Sequence, residues 1–411
     1  MSVNIAVVGC LDTKGEEVHY LKEVLETDGH RAHVVDTGVI GEAVFPPDTS
    51  RAVVARAAGT SIEDLVRRND RGHAVAAMSE GAAEVVRELH RQGRIQGILA
   101  AGGSANTTIG TSAMRALPVG FPKVMVSTLA SGDVSPYVDT KDITMMYSVV
   151  DVAGINRISG AILSNAARAV AGMASARPVE RDGSKPLIAA TMFGVTTPCV
   201  TAARKFLEEA GYEVLVFHAT GTGGRAMEGL IEDGFISGVL DITTTELADE
   251  LVGGILSAGP RRLTVAGAVG IPQVVSIGAV DMVNFGPRST VPPKFENRKF
   301  YQHNPTITLM RTTPEENAEI GRRIAERLKP SKGPVKVFLP RRGVSLYAKE
   351  GGPFFDPEAD ERCRKAVREG LAGRFPVEEL DTDINDPTFA RASAQGLLDL
   401  LRGAGARARA G

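Results

Sequence analysis

Tryptophan is absent from this chain of 411 residues, and aromatic residues make up only 5% of it. Surfaces that stack single-stranded bases interleave aromatic and basic residues. No such stretch occurs, which sets nucleic acid aside as a partner. The formal net charge of -2 gives no pull toward a phosphate backbone or an acidic membrane either. Cysteine is scarce: Cys10, Cys199 and Cys363 are an odd set without metal-ligand spacing. That argues against a disulfide framework and a cysteine metal site, and it fits a reducing, cytoplasmic compartment. Long apolar runs are missing as well. The longest, residues 149–174, is interrupted by Asp151, Arg157 and Arg168, so it is expected as a helix in water rather than a membrane span. Residues 3–8 lack a basic lead and read as a first strand, not a secretion signal.

What is present is an alternation of strand and helix patterns. A nearly unbroken apolar run at 3–9 suits a parallel strand buried on both faces, and 31–36, 96–101 and 123–128 read as further strands. Helical patterns at 13–27, 106–117 and 151–174 lie between or after them, and residues 41–72 read as an insertion beside the sheet. Residues 177–185 are charged and bracketed by prolines, as in a linker. After it the pattern repeats in order: 186–192 matches the first strand, 207–214 matches 25–32, 234–240 matches 93–99, and 269–276 matches 119–126. The expected fold class is α/β, with two Rossmann-like subdomains of mainly parallel sheet related by internal duplication. Their bounds are 1–176 and 186–402, with a flexible tail over 403–411.

In open α/β sheets ligands bind beyond the carboxyl ends of the strands. After the first strand, Thr13 and Glu16 suit a capping box, which puts Lys14 in the first helical turn. A cation there opposes the helix dipole unless an anion binds the free N–H groups, and Gly15 would let a phosphate approach. The alternative is a solvated lysine. Asp36 ends the second strand, where a carboxylate accepts ribose hydroxyls or simply shapes a turn before Gly38. Gly102-Gly103-Ser104-Ala105-Asn106 opens a helix with paired glycines and small polar side chains, which makes an anion nest. The rim that contains Ser131 and Gly132 is similar. Residues 139–152, rich in Met and Val, suit either a homodimer interface or an edge strand.

In the second half, Gly221-Thr222-Gly223-Gly224-Arg225 follows a strand and suits a small anion such as a sugar acid or sugar phosphate. His218, Glu246, Asp281 and Arg341 follow neighbouring strands, where they either serve acid–base catalysis or simply line a solvated rim. No metal-ligand spacing is readable around His218 or His303.

These motifs, with residues 142–151, 190–196 and 311–317, resemble the Tm-one-like ATP-binding domain family, a largely uncharacterised bacterial family related to the N-terminal domain of the tomato mosaic virus resistance protein. The resemblance runs over nearly the whole chain. It implies two Rossmann-like subdomains, ATP with magnesium in the first, and a homodimer. Carried over by motif, Asp12, Thr13, Lys14, Gly15, Gly102, Gly103, Ser104 and Ser131 would form the nucleotide site. Ala105 stands where a further glycine is expected. The resemblance supplies no reaction. An enzyme acting on small metabolites in a cleft between the subdomains is one alternative, and an NAD(P)-dependent oxidoreductase is another, although Gly-x-Gly-x-x-Gly is missing.

Overall fold

The computed structural model describes residues 2–176 and 185–410. The chain divides into two compact units, Met1–Glu180 and Arg181–Gly411. The linker read at 177–185 falls, but for its last residue, outside the described residues.

The first unit runs β1 (Asn4–Gly9), α1 (Gly15–Thr27), β2 (Arg31–Asp36), α2 (Arg51–Ala57), α3 (Ile62–Arg68), α4 (Arg71–Arg91), β3 (Gly97–Gly102), α5 (Ser104–Arg115), β4 (Lys123–Ser127), α6 (Ser135–Val138), β5 (Thr144–Tyr147) and α7 (Arg157–Ser175). Its five strands form one sheet in the order β2-β1-β3-β4-β5, and every pairing is parallel. The apolar runs explain this. Ile5, Ala6, Val7 and Val8 are all buried, with Ile5 and Val7 facing α1 and α7, and Ala6 and Val8 facing α4 and α5.

The second unit runs β6 (Leu187–Met192), α8 (Thr197–Glu209), β7 (Glu213–His218), α9 (Thr222–Glu232), β8 (Ile236–Thr243), α10 (Glu246–Val252), α11 (Val265–Val269), β9 (Gln273–Gly278), β10 (Met282–Phe285), β11 (Phe300–Asn304), β12 (Ile307–Arg311), α12 (Pro314–Leu328), β13 (Val335–Pro340), α13 (Pro357–Leu371), β14 (Val377–Leu380) and α14 (Pro387–Ala410). Six strands form a parallel sheet in the order β14-β13-β9-β8-β6-β7. Read from β7, this repeats the order of the first sheet: β7-β6-β8-β9 corresponds to β2-β1-β3-β4. The fold is therefore α/β with two mostly parallel Rossmann-like sheets.

Two local expectations are corrected. The helix after β1 starts at Gly15 with Lys14 at its cap and no side-chain cap, so the Thr13–Glu16 box does not form. Instead the N–H groups of Thr13 and Lys14 donate to the Cys10 carbonyl, and that turn uses the residues the box would need. The last helix of the first unit begins at Arg157, not 151, because Asn156 and Ser159 make a reciprocal capping box there. The insertion over 41–72 carries α2 and α3, in keeping with the polar helical pattern read there. Residues 403–410, expected as a tail, run on as part of α14. In addition, β10, β12 and β11 form a small antiparallel sheet that the sequence pattern did not reveal.

Candidate functional site

The order β2-β1-β3 has a topological consequence. The chain leaves β1 and β3 in opposite directions, so their carboxyl ends open a crevice that adjacent loops cannot fill. A cleft of about 420 Å³ lies there. Cys10, Asp12 and Thr13 approach it after β1, Thr37–Ile40 after β2, and Ala105, Asn106 and Ile109 from the start of α5. Leu65 and Val66 of α3, Asn69 and Asp70 of the turn after it, and Arg71, Val75 and Met78 of α4 line its other side.

Of the residues expected at a nucleotide site, Asp12 and Thr13 line this cleft. Asp12 is nearly buried, with its side chain 4% exposed. Its Oδ2 accepts from the N–H groups of Val39 (2.9 Å), Ile40 (3.0 Å) and Gly41 (3.3 Å), while its Oδ1 is buried without a hydrogen-bond partner. Asp12 thus shapes one lip of the cleft. Asp36 is fully engaged elsewhere. Its Oδ1 accepts from the N–H groups of Leu11 (3.0 Å) and Gly38 (2.8 Å), and its Oδ2 accepts from Arg51 Nε (2.7 Å). It organises the loop and is not presented to a ribose.

Lys14 and Gly15 also take structural places. The Lys14 ammonium donates to the Val152 carbonyl. A Cβ at Gly15 would collide with the Val44 side chain, so the glycine makes room for the 41–50 loop rather than for a phosphate.

The glycine-rich turn after β3 is the open part. Gly102 has φ +152°, and a Cβ there would meet Asn106. Gly103 caps α5 with no side-chain hydrogen bond, and a Cβ there would meet only Thr128 Oγ1, at 3.8 Å. Ser104 is the exposed first residue of α5. Ser131 is exposed in the turn after β4 and does not line the cleft.

Asn106, read in the sequence as part of the glycine-rich turn, lines the cleft together with Cys10, which the sequence did not single out. The Cys10 thiol donates to Asn106 Oδ1 (2.9 Å), and burial pushes this thiol up to about 11. Asn106 was legible beside the paired glycines. Arg51 and the α3–α4 wall had no signal, because they reach the site from residues 51–78.

In the second unit the glycine-rich helix start expected as an anion site is taken up by contacts within the chain. The N–H groups of Gly221 (2.7 Å) and Gly224 (3.1 Å) donate to Glu246 Oε1, and a Cβ at Gly224 would collide with that carboxylate. Gly223 makes room for the His218 carbonyl. Thr222 is exposed at the start of α9, and Arg225 Nη1 donates to the Ser257 carbonyl at 3.4 Å. Glu246 is held in turn by Arg262 Nε (2.6 Å), and Arg262 forks onto Asp241 at 2.5 and 2.7 Å. Burial raises the pKa of the Glu228 carboxyl beside them, while Arg262 and the N–H groups of Leu263 and Val265 oppose that rise.

The four candidate catalytic residues do not form one open set. Glu246 and Asp281 are buried, while His218 and Arg341 are exposed. Asp281 accepts from Ser345 Oγ (2.8 Å), and burial raises its pKa; His218 lies edge-on to Phe193 at 5.3 Å. Among the described residues, no group of three or more His, Cys, Asp and Glu side chains is placed to hold a metal, and no helix is long and apolar enough to cross a membrane.

Comparison with known proteins covers nearly the whole length. Residues 3–179 match the N-terminal domain, and 185–401 the C-terminal domain, of a family described as Uncharacterised protein family (UPF0261). A UPF0261 protein of Clostridium tetani is 52% identical over 98% of this chain and 100% of its own length. The ToMV resistance protein Tm-1 of Solanum lycopersicum is 39% identical over 97% of this chain, which corresponds to 56% of the tomato protein. Among solved structures, the UDP-GlcNAc 2-epimerase of Methanocaldococcus jannaschii is 9% identical with a TM-score of 0.22, covering 97% of this chain and 93% of that one. Similarity at that level bears on neither ligand nor reaction.

Proposed function

Because the chain belongs to the UPF0261 family, whose description carries no activity, we propose from its own geometry that the first unit binds a nucleotide, ATP with its magnesium ion, in the β1/β3 cleft. The observation that carries this reading is the start of α5. Two glycines bring an uncapped helix N-terminus to the switch point of the sheet, and the space beside Gly103 is open. Backbone N–H groups of the first helical turn have no partner within the helix and carry the positive end of its dipole. An anion is the ligand that suits them.

The α1 N-terminus, likewise without a side-chain cap, faces the same edge of the sheet. In this reading the 102–104 backbone takes phosphate, Thr13 supplies a hydroxyl at the rim, and Asp12 holds the lip. The chain offers no cage of its own for magnesium among the described residues, so the ion arrives on the triphosphate. Exposed Tyr147 and Val149 at the end of edge strand β5 are where a second copy would pair in a homodimer.

The test is thermal. Mg-ATP at about a hundred times its Kd should stabilise the protein by about 2.7 kcal/mol, and Gly103→Val should remove that shift while leaving the fold intact. If the parent shows no shift, the reading is wrong. Phosphate release in the same titration separates a nucleotide-responsive binding module from an enzyme.

A further inference from the structure

We infer that the outer half of this cleft is a clamp for the flat, uncharged base of the nucleotide, formed by Ile40 on one lip and Val66 on the other. The inference rests on the nucleotide reading and extends it to the end of the ligand away from the phosphates. Ile40 is 92% exposed and Val66 is 50% exposed, and both line the cleft. Behind them the wall continues as buried Leu65 and Met78 with half-buried Val75. A large aliphatic side chain left in water forgoes the stabilisation that covering it would bring. Two of them on opposite lips of one cleft mark a surface that a ligand covers.

The exposure of Ile40 is built, not incidental. Asp12 Oδ2 takes the N–H groups of Val39, Ile40 and Gly41 in succession. Arg51 donates to the Gly41 carbonyl and to Asp36, and Asp36 in turn holds the N–H of Gly38. Two largely buried carboxylates and an arginine therefore fix a short segment so that its isoleucine points outward. A loop held by charge at this density has little freedom to fold that side chain back.

The opposite lip is equally fixed. Asn69 ends α3 at φ +48°, and Asp70 caps α4 by accepting from the His73 N–H at 3.0 Å. The exposed side chains that Ile40 and Val66 present are aliphatic, with Asn69, Asp70 and Arg71 beside Val66 in the lining. The aliphatic pair suits the faces of a heterocyclic ring and not a phosphate, whose place is the polar end at α5. Asn69 also lines the cleft, with an amide that can both donate to and accept from a ring edge.

The experiment measures binding of three probes, ATP, adenosine and inorganic tripolyphosphate, to the full chain and to the double variant Ile40→Ser, Val66→Ser. Both positions are at least half exposed, and the substitutions leave the charge unchanged. The expected result is that ATP and adenosine each lose roughly tenfold in affinity, which corresponds to about 1.4 kcal/mol, while tripolyphosphate binds parent and variant alike. The clamp is overturned if ATP and adenosine bind the variant as they bind the parent, or if tripolyphosphate weakens in parallel. A parent that binds ATP and tripolyphosphate but not adenosine overturns the clamp alone. A parent that binds none of the three overturns the nucleotide reading with it.

Discussion

Glycines that look alike in the sequence have different duties. Gly15 borders Val44, Gly224 borders Glu246, and a Cβ at Gly103 would meet only Thr128 Oγ1, at 3.8 Å. Gly15→Ala should therefore lower stability through overpacking, by roughly 1–3 kcal/mol, whereas Gly103→Ala should be close to neutral. Urea denaturation of the two variants checks this, and equal losses would contradict it. Glu246 and Arg262 make the sharper case, because neither side chain is exposed. Glu246→Gln leaves a buried guanidinium short of one counter-charge, and removing one partner of a buried pair typically costs about 3–5 kcal/mol. The expected outcome is a large fall in the denaturation midpoint of the second unit, with Mg-ATP binding by the first unit retained. Cys10, with its thiol pushed up to about 11, should resist iodoacetamide at pH 8 in the folded protein, as mass spectrometry would show.

At the scale of elements, sequence patterns were legible where burial is two-sided. The β1, β3 and β4 runs are continuous apolar stretches, and the sheet could be read from them. Helix starts were less legible. Caps depend on which N–H groups a preceding turn has already used, and the Cys10 turn pre-empts the Thr13 box. The β10–β12–β11 sheet was missed because its strands are short and separated by the polar, proline-bearing stretch 286–299.

Two acids on or beside these elements give a pH prediction. Burial pushes Asp249 in α10 and Asp360 in α13 up to about 7, from 3.8. Each stays protonated in the folded chain at pH values where the unfolded chain has released its proton. Their contribution is fully present below about pH 4 and is lost as pH rises through 7. Asp360→Asn removes one such group, so its stability should fall less than the parent's between pH 4.5 and 7.5. Chemical denaturation at several pH values measures the difference, and parallel curves would refute it.

The whole molecule consists of two units with separate hydrophobic cores. Leu21, Leu99 and Leu163 belong to a cluster in the first, and Ile320, Val337 and Leu371 to one in the second. Residues 1–180 expressed alone should therefore fold cooperatively and keep the thermal response to Mg-ATP; a fragment that remains unfolded would show that the first core is insufficient. The repeated order of motifs foretold the repeated strand order. It did not foretell that equivalent edges would be used differently, because the side chains that decide this come from far along the chain. Arg51 and α3 supply one wall of the first cleft, and Arg262 fills the other edge.

The Glu246 carboxylate can also be viewed as a tethered competitor. A ligand that dissociates is replaced at a rate set by its bulk concentration, but a side chain held within hydrogen-bond reach of Gly221 and Gly224 is always the nearest anion, at a local concentration that solutes do not match. An external anion would have to displace Glu246, separate it from Arg262 and leave both charges buried. The chain has two glycine-rich helix starts, and at the second an internal carboxylate already takes the N–H groups that an external anion would need. Fluctuations in nucleotide supply would then be felt by one half of the protein only.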